Sequence, residues 1–230
     1  TATAGHSVGE LSALAACGSA DVKDIARIAA IRGKLMNSAA LLRLGAMAAI
    51  SDASLEEVQK SVHAFQSRNK CLVVAAVNAP FQIVVSGDIE SVKSFCTIGK
   101  PQNARAKLLR VSGAWHSPLM EPVVSDLSSQ LLKFELLHPK FSAFSNYDGK
   151  PFSSVEEIKK RIPLQLINTV RWDLVIQNML SAGIKDFVEI GPGRVLRGLL
   201  RLNSSSSLNV YSVSDLRSIE KTIFELRQFC

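Results

Sequence analysis

Gly5-His6-Ser7-Val8-Gly9 reads as Gly-x-Ser-x-Gly, the pattern of a nucleophile elbow, and the rest of the 230-residue chain is legible as equipment around Ser7. A sharp strand-to-helix turn leaves no room for side chains beside the serine, so the pattern puts glycine on both flanks and pushes the hydroxyl outward. The context fits that frame. Thr1 to Ala4 is short enough to be the tail of a strand, and Glu10 to Cys17 is rich in helix formers. The helix then begins at the site, and its first unpaired N–H groups, starting with that of Val8, are placed to receive an oxyanion formed when Ser7 attacks an acyl carbonyl.

With 47% hydrophobic residues the chain can bury a sizeable core, as one large domain or as a domain with a smaller insert. No apolar run reaches membrane-spanning length, and the first residues lack a secretory pattern, so no membrane association is expected. The net charge of +7 points to acidic or phosphorylated partners, or to a solvated basic surface. Nucleic acid is excluded as a partner, because aromatics are only 6% and are not interleaved with the basic residues. Cys17, Cys71, Cys96 and Cys230 lie far apart without Cys-x-x-Cys spacing, which fits a reduced intracellular compartment, cytoplasmic or organellar (plastid or mitochondrial). Neither a metal nor a cofactor is expected. Because the chain opens almost on top of the elbow, we expect it to be an N-terminally truncated fragment.

Asp21 to Leu42 predicts a helix whose apolar residues Ile25, Ile28, Ala29, Leu35 and Met36 recur at helical spacing. Arg32 falls inside that stripe, four residues from both Ile28 and Met36. It must snorkel to water, pair with a structural carboxylate or meet an anionic ligand. From Gly45 to Ser112 the pattern runs strand, helix, strand, strand, helix, strand, which describes a ferredoxin-like unit. Ser54 with Glu57 forms a capping box, Gly87-Asp88 offers a cap for the second helix, and Asn78-Ala79-Pro80 reads as the connection between the middle strands.

Beyond the insert, His116 sits in a turn-rich loop ahead of a helix carrying Val123, Val124, Leu127 and Leu131. It reads either as a loop histidine or as the base for Ser7, for which it is the best candidate, since His6 adjoins the elbow and His63 and His138 lie on surface-like stretches. Phe141 to Ser145 predicts a strand, Asp148-Gly149 a turn, and Ser154 with Glu157 the cap of a helix interrupted at Pro163, with Gln165 just beyond. Trp172 to Leu180 predicts a helix and Lys185 to Ile190 a buried strand. Gly191-Pro192-Gly193 turns into another helix, followed by Ser204 to Ser207 as a mobile loop, a strand near Leu208 to Val213 and a helix from about Leu216.

Taken together, GHSVGELSAL around Ser7, IRGKLM around Arg32, GAMAAI, VNAPFQIVVSG, VSGAWHSPLM around His116, QLINTVRW and VEIGPGRVL resemble the malonyl-CoA:acyl carrier protein transacylase family and related acyltransferase domains of fatty acid and polyketide synthases. The resemblance covers nearly the whole chain. It implies an α/β fold, with an α/β-hydrolase-like parallel-sheet core formed by residues 1–43 and 113–230 and a ferredoxin-like subdomain inserted at 44–112. It implies transfer of a malonyl group from malonyl-CoA to the phosphopantetheine thiol of acyl carrier protein, in fatty acid biosynthesis. Carried over by position, Ser7 is the nucleophile, His116 its base, Gln165 the residue whose backbone carbonyl orients the histidine, and Val8 an oxyanion donor. Arg32 grips the malonyl carboxylate, while His6, Met36, Asn78 and Trp115 line the substrate site.

Two features depart from the family. Its upstream strands and glycine-rich segment with an oxyanion-hole Gln have no counterpart here, and Trp115 stands where malonyl-selective members usually carry Phe. Arg194, Arg197 and Arg201 follow the Gly-Pro-Gly turn on one helical face, either as a docking patch for an acidic carrier or as a solvated surface. The competing functions are an acyltransferase domain of a megasynthase, a serine hydrolase or thioesterase, and a non-catalytic remnant. A buried Arg32 would be wasted on neutral esters, which argues against the hydrolase.

Overall fold

A computed structural model describes residues 1–65, 70–205 and 207–227. Ser206, within the expected mobile loop, and Cys230 lie outside the described residues. The elements are β1 (Ala2–Thr3), α1 (Gly9–Ala16), α2 (Val22–Leu42), β2 (Gly45–Ser51), α3 (Leu55–Phe65), β3 (Leu72–Ala79), β4 (Gln82–Asp88), α4 (Ile89–Ser94), β5 (Arg105–Leu108), α5 (Val124–Leu131), β6 (Ser142–Ala143), α6 (Val155–Leu164), α7 (Trp172–Ser181), β7 (Asp186–Ile190), α8 (Val195–Asn203), β8 (Asn209–Val213) and α9 (Leu216–Arg227). A π-helical turn, Phe95–Gly99, extends α4, and a 3₁₀ turn, Pro118–Val123, leads into α5. The described residues fall into two compact units, Thr1–Val175 and Ile176–Cys230.

In the first unit β1 pairs in parallel with β6, with Ala2 opposite Ser142 and Thr3 opposite Ala143, and delivers the chain to the elbow. Around it α1, α2, α5 and α6 bury one core that includes Leu11, Leu14, Ile28, Met36, Leu127, Leu131, Ile158 and Leu166. A separate antiparallel sheet has the order β3-β4-β2-β5. Its strands and α3 and α4 enclose a second core built on Ile50, Val58, Leu72, Ile83, Val85 and Phe95. The fold is mixed α/β, with parallel pairing in the core and a smaller antiparallel sheet. That residues 44–112 form a subdomain with their own hydrophobic interior is our proposal, supported by the separation of the two cores.

The Ser54–Glu57 capping box forms, with the Ser54 N–H donating to Glu57 Oε2 at 2.8 Å and the Glu57 N–H to Ser54 Oγ at 3.3 Å. Ser154 likewise accepts from the Glu157 N–H, and Pro163 is carried inside α6 near its end. Asp88 does not cap α4 through its side chain. Its carboxylate is held instead by the Arg43 guanidinium at 2.5 and 2.7 Å and by the Cys71 N–H at 2.5 Å.

The second unit pairs β7 with β8 in parallel, Asp186 opposite Asn209 through Ile190 opposite Val213. The expected buried strand is half open, with Val188 41% and Ile190 78% exposed, because β8 is its one strand partner among the described residues. Glu189 accepts from the N–H groups of Leu196 and Arg197 at 2.8 and 3.2 Å, placing a carboxylate on the positive end of α8. Val195, the first residue of the helix, is exposed, while Leu199 and Leu200 are buried.

Candidate active site

Ser7 occupies the turn between β1 and α1 with φ +52°, a left-handed conformation that L side chains rarely adopt. Such a residue costs about 1–3 kcal/mol and persists only when its surroundings over-determine it. Gly5 is dictated by this turn, because a Cβ there would lie 2.0 Å from the Gly9 carbonyl oxygen. Gly9 is not: a Cβ at that position meets nothing within 4 Å, so the expectation of crowding on both flanks holds on one side only.

His116 also has positive φ, +58°, and is 5% exposed. Its Nδ1 lies 2.8 Å from the Gln165 carbonyl oxygen and its Nε2 lies 2.7 Å from Ser7 Oγ. A carbonyl can only accept, so Nδ1 carries the proton and Nε2 presents its lone pair to the Ser7 hydroxyl. Burial pushes the imidazole down to about 3, against the Gln165 hydrogen bond that raises it, and Arg32 and His6 push the same way as burial. His116 is therefore neutral over the physiological range and competent to take a proton from Ser7 as the hydroxyl attacks. Gln165 ends α6, where the last helical turn directs its carbonyl at the histidine without any acid in the pair.

Arg32 is buried on α2, as its place in the apolar stripe requires, and donates from one nitrogen to Ser7 Oγ at 3.2 Å and Gln165 Oε1 at 3.0 Å. Burial lowers the guanidinium to about 10, with Glu10 opposing that shift, so it stays cationic at neutral pH. Among the described residues no carboxylate lies within ion-pair distance of it. A buried cation satisfied by a hydroxyl and an amide is suited to a ligand that brings its own anion.

The N–H of Val8 points from the helix start with no protein acceptor among the described residues, while the N–H groups of Gly9, Glu10 and Leu11 bond to the carbonyls of His6, Ser7 and Val8. His6 Nε2 lies 2.8 Å from Asn78 Oδ1, and its ring leans on that of Trp172 with centroids 5.5 Å apart. Burial pushes this imidazole down as well. Asn78 is not in the strand connection, which is Pro80-Phe81. It is the extra residue of a bulge in β3, between the pairs Val77–Ile83 and Ala79–Gln82, and bulges re-aim side chains in this way.

Trp115 is half-buried beside Gly113 and packs on the first core, and Met36 is buried in that core one helical turn beyond Arg32. Arg194 and Arg201 are exposed at the two ends of α8, with Arg197 half-buried between them. Among the described residues no cluster of His, Cys, Asp or Glu could hold a metal ion, and no helix is long and apolar enough to cross a membrane.

Two residues of the site are not among the expected site residues. Asn146, fully buried, accepts the Ser7 N–H on Oδ1 at 2.6 Å and donates Nδ2 to the Gly5 carbonyl at 2.9 Å. Glu10, 1% exposed, accepts from the Asn146 N–H at 3.0 Å and, in a short contact, from Gln165 Nε2. Glu10 directly follows the elbow within a stretch of helix formers, and Asn146 precedes a turn, so only the long-range pairing gives either its place in the site.

A strained serine on a strand–turn–helix elbow, bonded to a neutral imidazole beside an unclaimed N–H, defines a class: α/β enzymes equipped for acyl chemistry at serine. Within that class the chain belongs to the acyl transferase domain family, which it matches over residues 1–218. It is 34% identical over 227 residues to the malonyl CoA-acyl carrier protein transacylase of Bacillus subtilis, covering 98% of this chain and 71% of that protein. It is also 34% identical over 206 residues to the enzyme of the same name from Staphylococcus aureus (strain COL), covering 86% of this chain but 65% of that relative. A solved structure of a malonyl-transacylase in complex with its type II PKS acyl-carrier protein superimposes with a TM-score of 0.91 at 33% identity, over 96% of this chain and 72% of that one. The chain thus spans about two thirds of the length of these relatives.

Proposed function

We propose that the protein moves a malonyl group from malonyl-CoA to the phosphopantetheine thiol of acyl carrier protein through a malonyl-Ser7 ester, in fatty acid biosynthesis. The observation that carries the substrate assignment is the buried Arg32 guanidinium, 3.2 Å from Ser7 Oγ and, among the described residues, with no carboxylate within ion-pair distance. In this reading the malonyl carboxylate takes the guanidinium fork and sets the thioester carbonyl over Ser7. Ser7 Oγ attacks, His116 Nε2 accepts the hydroxyl proton, and the oxyanion meets the Val8 N–H. As the C–S bond breaks, the same proton passes to the CoA thiolate. The carrier's thiol then attacks the ester, gives its proton to His116, and Ser7 regains one as it leaves.

His6 and Asn78, hydrogen-bonded to each other, and Trp115 and Met36, next to His116 and one turn from Arg32, are proposed to line the acyl site. Arg194, Arg197 and Arg201 are proposed to meet the carrier, supported by the exposure of the two outer arginines. An intracellular compartment, cytoplasmic or organellar, is supported by the unbridged thiols of Cys17, Cys71 and Cys96. The test is incubation of the full-length protein with malonyl-CoA and then carrier, following the ester on Ser7 by mass. Label transferred to the carrier thiol faster than it is lost to water is the expected outcome, and release to water alone would return the hydrolase.

A further inference from the structure

We propose that Asn146, Glu10 and the side chain of Gln165 form a buried clamp on the backbone of Ser7, making them positioning residues for its acylation. The inference rests on the assignment of Ser7 as the acylated nucleophile. Ser7 must be held in a left-handed conformation, and both of its peptide groups are gripped. Its N–H donates to Asn146 Oδ1 at 2.6 Å, and its C=O accepts from Gln165 Nε2 at 3.2 Å besides the Glu10 N–H at 3.1 Å. Asn146 Nδ2 also holds the Gly5 carbonyl, so one carboxamide bridges both arms of the turn. The two gripping residues hang from the two oxygens of one carboxylate: Glu10 Oε1 takes the Asn146 N–H and Oε2 takes Gln165 Nε2. All three side chains are at most 3% exposed, so water cannot substitute for a lost partner.

The donor count says why an acid sits there. Three donors converge on Glu10, the Asn146 N–H, Gln165 Nε2 and the Ser145 hydroxyl; the hydroxyl can rotate, but the Asn146 donor is main chain and cannot reverse. Gln165 could flip its amide, but Oε1 would then leave the Arg32 donor that it accepts at 3.0 Å and set an N–H against the guanidinium. The ionised carboxylate accepts from all three as an anion; protonation weakens its hold on Asn146 and Gln165, and a glutamine sets an N–H against one of them, so either change loosens Ser7 and Arg32 together. Burial pushes Glu10 up to about 7, against hydrogen bonds from Asn146, Gln165 and Ser145 and the charge of Arg32. Arg32 is the charged group that acts on it, and His116 and His6, the other titratable groups of the site, are both held toward the neutral form by burial. An acid limb near neutrality that Glu10→Gln removes belongs to Glu10, and one that survives the substitution belongs to the base.

The experiment is single-turnover malonylation of Ser7 by malonyl-CoA in the full-length protein, read by quenched intact mass from about pH 5.5 to about 8.5, a range that brackets the neutral form of a general base. The wild-type rate constant should fall toward tenfold per pH unit below about 7. Glu10→Gln should remove that limb and react at a pH-independent rate about ten- to a hundredfold below the wild-type plateau, and Asn146→Ala should slow by a similar factor. A residue needed only for folding lowers the amplitude of labelling; a positioning residue lowers the rate constant at full amplitude. The clamp is overturned if the wild-type rate is flat across the range, if Glu10→Gln keeps the wild-type acid limb, or if folded Asn146→Ala reacts at the wild-type rate. Should neither variant fold, the milder Asn146→Ser, which keeps an acceptor for the Ser7 N–H, takes their place and should slow labelling at full amplitude; a wild-type rate in it would overturn the clamp. Absence of any Ser7 adduct in the wild type is a separate outcome, which removes the functional reading and the clamp with it.

Discussion

Replacing Arg32 by alanine should make the enzyme indifferent to a carboxylate on the acyl group. The guanidinium now spends one nitrogen on Ser7 Oγ at 3.2 Å and Gln165 Oε1 at 3.0 Å, both neutral acceptors. A malonyl carboxylate offers two charge-assisted hydrogen bonds, each worth about 1.5–3 kcal/mol net. Part of that gain is offset by the two existing bonds that must stretch or break. The surviving difference is of the order of 1.5–3 kcal/mol, or roughly one to two orders of magnitude in kcat/KM for malonyl-CoA. Acetyl-CoA has no carboxylate to lose, and its transfer should hold or rise once a buried cation no longer faces a neutral acyl group. Arg32→Lys, with a point charge and no fork, should fall between the two. The assay is the ratio of kcat/KM for the two thioesters in each variant, with Arg32→Met as a control for lost volume. If malonyl and acetyl transfer fall by the same factor, Arg32 is a structural residue and the reasoning fails.

Gly5→Ala should destroy the elbow and with it soluble protein or Ser7 labelling, whereas Gly9→Ala should leave the melting temperature unchanged or raise it, since alanine gains about 1 kcal/mol over glycine in a helix; equal damage from both would refute the asymmetry. The pH dependence of stability has a defined sign. His116 and His6 have folded values below 6.5, so each contributes stability that is present above 6.5 and lost as pH falls toward the folded value, about 3 for His116. Glu10, raised from 4.5 to about 7, acts the other way, its contribution being present below 4.5 and lost as pH rises through 7. Between 4.5 and 6.5 His116 and Glu10 oppose each other, so in a denaturant series across that interval a His116→Gln variant should lose about 1.4 kcal/mol less per unit of acidification than the wild type, and parallel slopes would refute the assignment. Reversing the charges of Arg194, Arg197 and Arg201 should raise the carrier's KM and weaken its salt dependence, leaving hydrolysis of the malonyl-enzyme alone; unaltered carrier kinetics would return these residues to a solvated helix face.

What the sequence made legible is local. The spacing of Arg32 within an apolar stripe announced a buried cation, the glycines around Ser7 announced the elbow, and the capping pairs Ser54–Glu57 and Ser154–Glu157 fixed two helix starts. What it hid is set by pairing across the chain. Asn146 and Glu10 are 136 residues apart, and neither belongs to a motif whose spacing would link them. Gln165 was legible as a backbone carbonyl, yet its side chain also meets Arg32, Glu10 and Ser7. Asn78 looked like turn chemistry because it precedes Ala79-Pro80; the register of β3 against β4 makes it a bulge, and no single-strand pattern carries register. The ring contact of Trp172 with His6 is hidden for the same reason, since the segment 169–171 runs along β3 through the Val77–Val170 backbone hydrogen bond at 2.9 Å.

The central claim is that Ser7, activated by His116, carries the malonyl group. It is tested most directly by the intact mass of the full-length protein after brief exposure to malonyl-CoA, with the modified peptide located by fragmentation. A single malonyl adduct on Ser7 in the wild type, absent from Ser7→Ala and reduced by orders of magnitude in rate in His116→Ala, is the expected result. Malonyl label retained by Ser7→Ala at the wild-type rate would contradict it.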